Sequence, residues 1–282
     1  MSEGELVRFW QPASEAGTDF IAACLTVGRS MPHVHSEWQF AVAEMPTGLS
    51  IGAFRRYATR AETVTVVPPL TVHTEGAGSE TGPGWRVLYV APAVIDRLSG
   101  HRPGADGGFV VRFNAPALSS PTRAAELREL LRESVEGLVD GAEFMSRALT
   151  WLEQVLREHA AVLPDAPRSS AVERARALLH SRPTQSLELP EIATVAGTSV
   201  SHLVRSFSRV VGLPPQRYHL QVRLAHARRL LAEGQAASWV AYECGFADQS
   251  HLNRRFKECH GVTPGAFQIQ YQSKASRVDA AA

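Results

Sequence analysis

The chain has 282 residues, of which 44% are hydrophobic and 20% charged, and its formal net charge is +1. This length is sufficient for two domains with separate cores, and the composition excludes an intrinsically disordered chain. Because no apolar stretch reaches the length of a signal peptide or a membrane span, we expect a cytoplasmic protein.

The charges are divided unevenly along the chain. Residues 1–160 contain 14 arginines and 19 acidic residues, a net charge of −5, whereas residues 161–282 carry a net charge of +6. A basic half joined to an acidic half is typical of a nucleic-acid-binding module fused to another domain. A charge of this size is also common on an ordinary solvated surface, so the imbalance is weak evidence when taken alone.

Residues 1–113 are predicted to form a β-barrel or jelly roll. Short apolar or alternating runs are separated by turn signals such as Pro46-Thr47-Gly48, and several closely spaced strands favour a fold of this kind. The predicted strands are Phe20–Val27, Trp38–Met45, Leu49–Tyr57, Thr63–Val67, Trp85–Val90 and Phe109–Phe113.

Three histidines bear on what this barrel binds. His33 and His35 are two residues apart on an extended segment and therefore share a face, and His73 follows a turn further along. Three interpretations stay open: imidazoles that hold a metal ion, histidines that line an organic-ligand pocket, and core histidines satisfied by backbone hydrogen bonds.

Residues 114–160 are predicted to form two amphipathic helices. Ser120 stands at a cap position and Pro121 at a first helical position, and leucines then recur at helical spacing. Such a pair packs either on its own barrel or on a second subunit. Residues 161–169 contain two prolines and are predicted to be a linker, and residues 273–282 a flexible tail.

The C-terminal domain, predicted over residues 170–272, begins at a Ser170–Glu173 capping box and contains an internal repeat. Each copy has the pattern of a helix, a tight turn and a second helix, so two helix-turn-helix units are predicted at about 188–212 and 237–261. The matching pairs are Ser201 with Ser250, His202 with His251, Leu203 with Leu252, Arg205 with Arg254, Phe207 with Phe256, Gly212 with Gly261 and Pro215 with Pro264.

The second helix of each unit is predicted to expose a polar face. Leu252 and Phe256 are four residues apart and point inward, so their polar neighbours point outward. Arginine bridges two guanine acceptors, asparagine bridges adenine, and a helix fits the major groove. For the arginines, a phosphate contact or a solvated charge is the open alternative. The predicted base-reading residues are Ser201, Val204, Arg205, Ser250, His251, Asn253 and Arg254.

A long helix over Gln216–Glu233 is predicted to join the two units. Its length of roughly 27 Å would place the two reading helices about 34 Å apart, which is one turn of B-DNA. Its arginines and one nearby lysine are candidate contacts for DNA phosphates. These candidates are Arg217, Arg223, Arg228, Arg229 and Lys257.

The run GFADQSHLNRRFKECHGVTPGAF, within a region of about Ser170–Tyr271, resembles the AraC family of bacterial transcription regulators. The resemblance implies an all-α DNA-binding domain with two helix-turn-helix units on one long helix, and it implies base contact at the positions named above. Val204 departs from the polar residue often found there, which implies a thymine-methyl contact. The resemblance also implies a homodimer formed through the helices at 114–160.

The segments MPHVHSEWQF, VVPPLTVH and GWRVLYVAPAVIDRL resemble the cupin-like effector-binding barrel of the same family. Cupin metal sites add a glutamate about four residues after the histidine pair, where this chain has Gln39. Three imidazoles would still hold Zn, Ni or Cu, but we favour an organic effector and no metal cofactor. The predicted effector-binding residues are His33, His35, Trp38, His73 and Trp85, and any metal would use the three histidines.

These features favour a multidomain α and β protein that acts as a ligand-responsive transcription regulator. Its expected partners are double-stranded DNA, a small-molecule effector, a second copy of the chain and, if it is an activator, RNA polymerase. The first alternative is a metal-responsive regulator. A cupin enzyme fused to a DNA-binding domain is disfavoured because no acid–base set accompanies the histidines, so no enzymatic activity is expected. An architectural DNA-binding protein that senses no ligand is the third possibility.

Overall fold

The structure, a computed structural model, describes residues 6–10, 20–26, 31–53, 55–76, 84–100, 109–164 and 170–270. The predicted tail at 273–282 lies outside these ranges, as do residues 165–169 of the predicted linker. Within these ranges no helix combines the length and the apolar character needed to cross a membrane.

The described residues of the N-terminal part form short antiparallel strands and three helices. The strands are β1 (Leu6–Trp10), β2 (Phe20–Thr26), β3 (Trp38–Ala43), β4 (Thr47–Ile51), β5 (Arg55–Thr59), β6 (Thr63–Val67), β7 (His73–Glu75), β8 (Gly84–Val90), β9 (Phe109–Phe113), β10 (Ala117–Ser119) and β11 (Ala160–Pro164). The helices of this part are α1 (Pro92–Leu98), α2 (Pro121–Glu136) and α3 (Gly141–His159).

The C-terminal part of the chain is helical. Its helices are α4 (Ala171–Ser181), α5 (Leu189–Ala196), α6 (Val200–Val211), α7 (Pro215–Ala232), α8 (Ala237–Glu243) and α9 (Gln249–His260). The predicted capping box opens α4, with Ser170 and Glu173 bonded to each other's backbone. Helices α5 and α6 form one helix-turn-helix unit and α8 and α9 the other, with α7 between them. This confirms the predicted β-rich and all-α halves.

Six strands form one sheet in the order β1-β2-β8-β3-β6-β10. Side chains alternate between the two faces of a strand, so in β3 Phe40 and Val42 point to one face and Ala41 and Ala43 to the other. Every residue of β3 is buried because both faces of the sheet are covered. This explains why the strands of this sheet have nearly continuous apolar sequences.

The first face of this sheet packs against α2 and α3. Leu127 and Leu152 of these helices share a core with Phe40, whose ring meets that of Trp151 edge-on with centroids 5.5 Å apart. The apolar stripes predicted over 114–160 therefore cover the sheet of their own chain. The stripes alone therefore do not support the predicted dimer, which stays a prediction.

The second face of the sheet packs against the C-terminal domain. Trp85 and Tyr89 of β8 lie in one buried cluster with Leu224 and Leu231 of α7. At the edge of the sheet, the rings of Phe9 and Phe267 meet with centroids 5.1 Å apart. The two domains therefore share a continuous apolar core.

The smaller sheet, in the order β5-β4-β7, corrects two sequence predictions. The single strand predicted over Leu49–Tyr57 is a hairpin, since the chain reverses at Gly52 with a φ of +61° that other residues rarely adopt. The described strands also do not close into the predicted barrel. In the described ranges the backbone before β3 pairs with β7 through the single bridge between His33 and His73, not through a ladder of hydrogen bonds.

Part of the predicted linker at 161–169 is wrong. Residues 161–164 belong to β11, which pairs antiparallel with β9 and sets Val162 opposite Val111. β-Branched and apolar residues favour a strand here. The strand ends at Pro164, which has no backbone N–H to donate to a further ladder bond.

Candidate DNA interface and buried histidine cluster

Helices α6 and α9 occupy equivalent places in the two helix-turn-helix units. Each begins at a side-chain cap: Ser199 Oγ accepts the N–H of His202 at 3.3 Å, and Asp248 Oδ1 accepts the N–H of His251 at 2.7 Å. Buried aromatic side chains anchor the inner face of each helix, as Phe256 does for α9. Together the cap and the anchor fix which face of the helix points outward.

The outward faces carry all seven residues predicted to read bases. On α6, Ser201 and Arg205 are exposed and Val204 is half-buried; on α9, Ser250 and Arg254 are exposed, with His251 and Asn253 half-buried beside them. The His251 ring meets the Phe246 ring edge-on with centroids 5.4 Å apart, which limits its freedom to turn. Base contact by these residues stays a prediction.

The predicted phosphate contacts differ in their surroundings. Arg217 and Lys257 are exposed. Arg223 is half-buried, donates to the carbonyl of Gly245 at 3.1 Å and lies over the ring of Phe246 with its Cζ 5.7 Å from the centroid. Arg223 therefore braces the turn of the second unit, and its phosphate contact also stays a prediction.

Arg228 corrects a sequence prediction. Its side chain is 1% exposed, and its Nη2 lies 2.6 Å from Oε2 of Glu37 in the N-terminal domain. Its guanidinium also stacks over the Tyr89 ring at 4.3 Å from the centroid. Burial lowers the pKa of an arginine, but Glu37 and Tyr89 hold the pKa of Arg228 above its ordinary value. In this arrangement Arg228 links the two domains and does not reach DNA phosphates.

The three histidines of the N-terminal domain come together beside this ion pair. The backbones of His33 and His73 exchange two hydrogen bonds, each 3.1 Å long. The His73 ring centroid lies 4.2 Å from that of His33 and 4.8 Å from that of His35. The His35 ring also meets the Tyr89 ring, at 5.1 Å. All three imidazoles are buried.

Glu75 adds a carboxylate that the sequence analysis missed. Its Oε1 lies 3.2 Å from Nε2 of His73 and accepts a hydrogen bond from Nε2 of Gln39 at 2.8 Å. Ligand atoms of His33, His73 and Glu75 all lie within 4.8 Å of one another. The signal was present as His73-Thr74-Glu75, since residues two apart on a strand share a face. The cluster therefore contains a carboxylate, that of Glu75, although Gln39 stands where cupin metal sites have a glutamate. The side chain of Gln39 holds this carboxylate through the hydrogen bond.

Burial sets the protonation states of the cluster. It lowers the pKa of His33 to about 4 and the pKa of His35 well below its ordinary value. Burial alone would raise the pKa of the Glu75 carboxyl, but its neighbour His73 holds that pKa well below the usual range. Metal ligation requires neutral imidazoles, and these directions leave His33 and His35 neutral at neutral pH.

The two tryptophans predicted to line the same pocket do not join the histidines. Trp38 points to the first face of the sheet, where its ring lies 5.5 Å from that of Phe113. Trp85 points to the second face, in the core shared with the C-terminal domain. In the register of β3 and β8, Trp85 pairs with Ala43 and Trp38 with Val90, which places the two rings on opposite faces. The five predicted effector residues therefore do not line one pocket.

Two family models match the chain, an AraC-like ligand-binding domain over residues 15–152 and a helix-turn-helix domain over residues 192–270. The chain belongs to the AraC family of transcription regulators. The two matched regions correspond to the β-rich and the helical domain described above.

Curated transcriptional regulators are similar to this chain over different lengths. The uncharacterized HTH-type transcriptional regulator YbfI of Bacillus subtilis is 27% identical over 177 residues, 60% of this chain and 61% of YbfI. The probable regulator LumQ of Photobacterium leiognathi is 27% identical over 57% of this chain and 65% of its own length. The chain thus matches less than two thirds of either protein. The activator RhaS of an Enterobacter species is 24% identical over 82% of this chain and 85% of RhaS.

Solved structures of ToxT from Vibrio cholerae share the fold of this AraC-family chain. Apo ToxT superposes with a TM-score of 0.56 at 14% identity, covering 89% of this chain and 97% of ToxT. ToxT bound to an unsaturated fatty acid gives a TM-score of 0.54 at 13% identity, covering 96% and 97%. At these identities the likeness concerns the fold alone.

Proposed function

We propose that this AraC-family chain regulates transcription by reading double-stranded DNA with α6 and α9. The observation that carries the proposal is a pair of equivalent, capped helices whose outward faces present Arg205 on one and Asn253 and Arg254 on the other. These side chains have the donor geometry that base edges in the major groove require. A regulator of this kind acts in the cytoplasm, where bacterial DNA lies.

The contact between the domains supports control by an effector. Helix α7, which joins the two DNA-reading units, is held against the N-terminal sheet through Arg228 and through Leu224 and Leu231. A ligand that alters this contact shifts how the two reading helices are presented to DNA. The match of residues 15–152 to an AraC-like ligand-binding domain supports a small ligand in the N-terminal domain, and ToxT, which shares the fold, has been solved with an unsaturated fatty acid bound.

Two further parts of the proposal concern partners. We include a homodimer, because a groove of about 550 Å³ runs between α2 and α3 and offers a second copy a surface lined largely by polar and charged side chains, among them Glu126, Arg147 and Gln154. An activator of this type would also contact RNA polymerase. The proposed function includes no catalytic step.

The base-reading part is tested with Arg254→Ala. A binding site is first selected from random DNA with the wild-type protein, and the affinities of both proteins for that site and for scrambled DNA are then measured at one salt concentration. We expect the variant to lose at least about 1 kcal/mol of discrimination between the two DNAs, because a bidentate guanine contact supplies that amount.

Arg255→Ala is the matched control, since it removes the same charge from the same helix. Arg255 is half-buried and paired with Glu258, away from the outward face. It should leave discrimination unchanged. If Arg254→Ala weakens binding to both DNAs equally, Arg254 contacts phosphate and not a base.

A further inference from the structure

The tautomers of the three cluster histidines are fixed by the backbone. Nδ1 of His33 lies 2.9 Å from the carbonyl of Met31, Nδ1 of His73 lies 2.9 Å from that of Thr71, and Nδ1 of His35 lies 2.7 Å from that of Glu37. A carbonyl only accepts, so each Nδ1 carries the proton. Each neutral ring therefore presents the lone pair of Nε2. The hydrogen bond from Nδ1 to the backbone carbonyl fixes the orientation of the ring, as in metal-binding histidines.

Two of these lone pairs face unusual surroundings. Nε2 of His35 is buried and has no hydrogen-bond partner among the residues that the structure describes. Nε2 of His73 points at Oε1 of Glu75 from 3.2 Å, which sets a lone pair against an ionised carboxylate. Two acceptor atoms at this distance need a proton or a cation between them.

The distances match those between two ligands of one metal ion. Bonds of about 2.0–2.1 Å from zinc to nitrogen and oxygen separate adjacent ligands of a tetrahedral ion by about 3.3 Å. The distance between His73 Nε2 and Glu75 Oε1 is 3.2 Å. The ligand atoms of the whole set, which includes His33, lie within 4.8 Å, so a small inward movement of the third side chain completes three ligands.

We propose that His33, His73 and Glu75 bind a divalent metal ion of the zinc type, with His35 as the fourth ligand. Imidazole nitrogens with a single carboxylate suit zinc and its late first-row neighbours. A cleft of about 310 Å³ runs between the helices α7 and α9 and the segment that leads into His33, with Met31, Pro32 and Gln221 among its lining residues.

The metal site is also placed to act on DNA binding, a step that rests on the proposed regulatory function. Glu37, whose carbonyl holds the His35 ring, is the residue that pairs with Arg228 of α7. Tyr89 lies between the His35 ring, at 5.1 Å, and the Arg228 guanidinium, at 4.3 Å. A movement of His35 onto the ion shifts both groups that hold Arg228. The metal is thus an effector that changes how α7 sits on the N-terminal domain.

The test uses the full chain without a histidine tag. The protein is stripped with a chelator, loaded with Zn²⁺ and dialysed, and its metal content is measured by elemental mass spectrometry. We expect about one zinc ion per chain. In competition with a chromophoric chelator, His33→Gln and Glu75→Gln should bind zinc at least about tenfold more weakly, whereas His226→Gln, a histidine of α7 outside the cluster, should match the wild type.

A measurement on the wild type alone covers the case in which the variants fail to fold. Cobalt(II) in a tetrahedral site absorbs strongly in the visible, and this absorption should appear on loading and disappear when Zn²⁺ displaces the cobalt. A folded wild-type protein that retains no metal, or zinc that binds equally well to folded His33→Gln and Glu75→Gln, overturns the site.

A DNA-binding measurement separates this proposal from the regulatory one. The zinc-loaded and stripped proteins should differ at least about fivefold in affinity for the selected DNA site. Equal affinities would remove the coupling and leave the metal site. Sequence-specific binding by a protein that takes up no metal overturns the metal site and leaves the regulator. A metal-binding protein that does not distinguish the selected site from scrambled DNA in either form overturns the regulator instead.

Discussion

At the residue scale, Arg228 and Arg229 show how the same residue type is used in two ways on one helix. Arg228 is buried and paired with Glu37, whereas Arg229 is exposed and pairs with Glu233 one turn along α7. Replacement of Arg228 leaves Glu37 as a buried charge without its partner. We expect Arg228→Met to lower the free energy of unfolding by about 3–5 kcal/mol and Arg229→Met to lower it by less than about 1 kcal/mol.

Urea denaturation of both variants checks this expectation. The double variant Arg228→Met/Glu37→Leu should recover much of the loss, because it removes both charges and leaves neither unpaired. Equal effects of Arg228→Met and Arg229→Met would show that the pair with Glu37 is not buried in solution.

His260, the last residue of α9, predicts a loss of stability in acid. It is buried against the Phe256 ring, 4.4 Å away, and burial lowers its pKa well below the ordinary value of 6.5, with a further contribution from Arg228. The unfolded chain therefore takes up a proton first as the pH falls. Stability is retained at neutral pH and lost below about pH 6.5, by up to about 1.4 kcal/mol per pH unit for each such histidine.

Urea midpoints at pH 7.5, 6.5 and 5.5 measure this loss. His260→Leu should reduce the slope below pH 6.5 without abolishing it, because His33 and His35 are also buried in the neutral form. The exposed His202 provides the control, and His202→Leu should keep the wild-type slope. An unchanged slope in His260→Leu would contradict the assignment.

The residues that sequence analysis placed well are those whose setting is local. The outward positions of α6 and α9 follow from helical spacing, so the sequence alone places Arg205 and Arg254 on exposed faces, where the structure has them. The sequence does not identify Glu75 and wrongly predicts a phosphate contact for Arg228, because the surroundings of these residues come from Gln39 and Glu37, more than 35 and 190 positions away. No spacing rule within one segment contains that information.

At the element scale, caps and glycines made the helices predictable. The turns before α6 and α9 carry Ser199 and Asp248 as caps, and these positions were read from residue type alone. The strands were harder, because an apolar run does not show where a chain reverses. Gly52 divides the predicted strand at Leu49–Tyr57, and the three residues of β7 are too few to show alternation.

The caps differ in a way that stability measurements should detect. Asp248 accepts the backbone N–H of His251, whereas Ser120 stands at the start of α2 and makes no side-chain capping bond. We expect Asp248→Ala to cost about 1 kcal/mol and Ser120→Ala to cost little, because only the first change leaves a helix N–H without its acceptor. Chemical denaturation compares the two. A similar loss in both variants would mean that the cap of α9 does not stabilise it.

At the scale of the whole molecule, the sequence predicts two domains but not the surfaces through which they contact each other. The nearly continuous apolar sequence of β3 indicates an apolar face on each side of the strand. The interior of a barrel and an interface with a second domain both require such residues, so the sequence does not distinguish them. Trp85 illustrates this, since it was predicted to line a pocket and instead packs in the core shared with α7. Which surface covers a strand depends on the three-dimensional arrangement of distant segments.

Two glycines provide a test of that contact. Gly137 and Gly212 both follow a helix in the left-handed conformation, with φ of +74° and +94°. A Cβ at Gly137 would meet nothing within 4 Å, whereas one at Gly212 would lie 2.7 Å from the carbonyl carbon of Gly52 in the N-terminal domain. Gly137→Ala should therefore cost only the backbone strain of about 1 kcal/mol. Gly212→Ala should cost about 1–3 kcal/mol more, because α6 must move away from the β4–β5 turn.

Hydrogen exchange locates the effect of Gly212→Ala. The N–H of Gly52 donates to the carbonyl of Val72 at 2.8 Å beneath the end of α6. Displacement of α6 exposes this bond to water, so its exchange should accelerate in Gly212→Ala and stay unchanged in Gly137→Ala. If both variants lose the same stability and the Gly52 amide keeps its protection in each, the two domains do not meet at this turn in solution. Coupling between the histidine cluster and α7 would then depend only on the contacts of Arg228 with Glu37 and Tyr89.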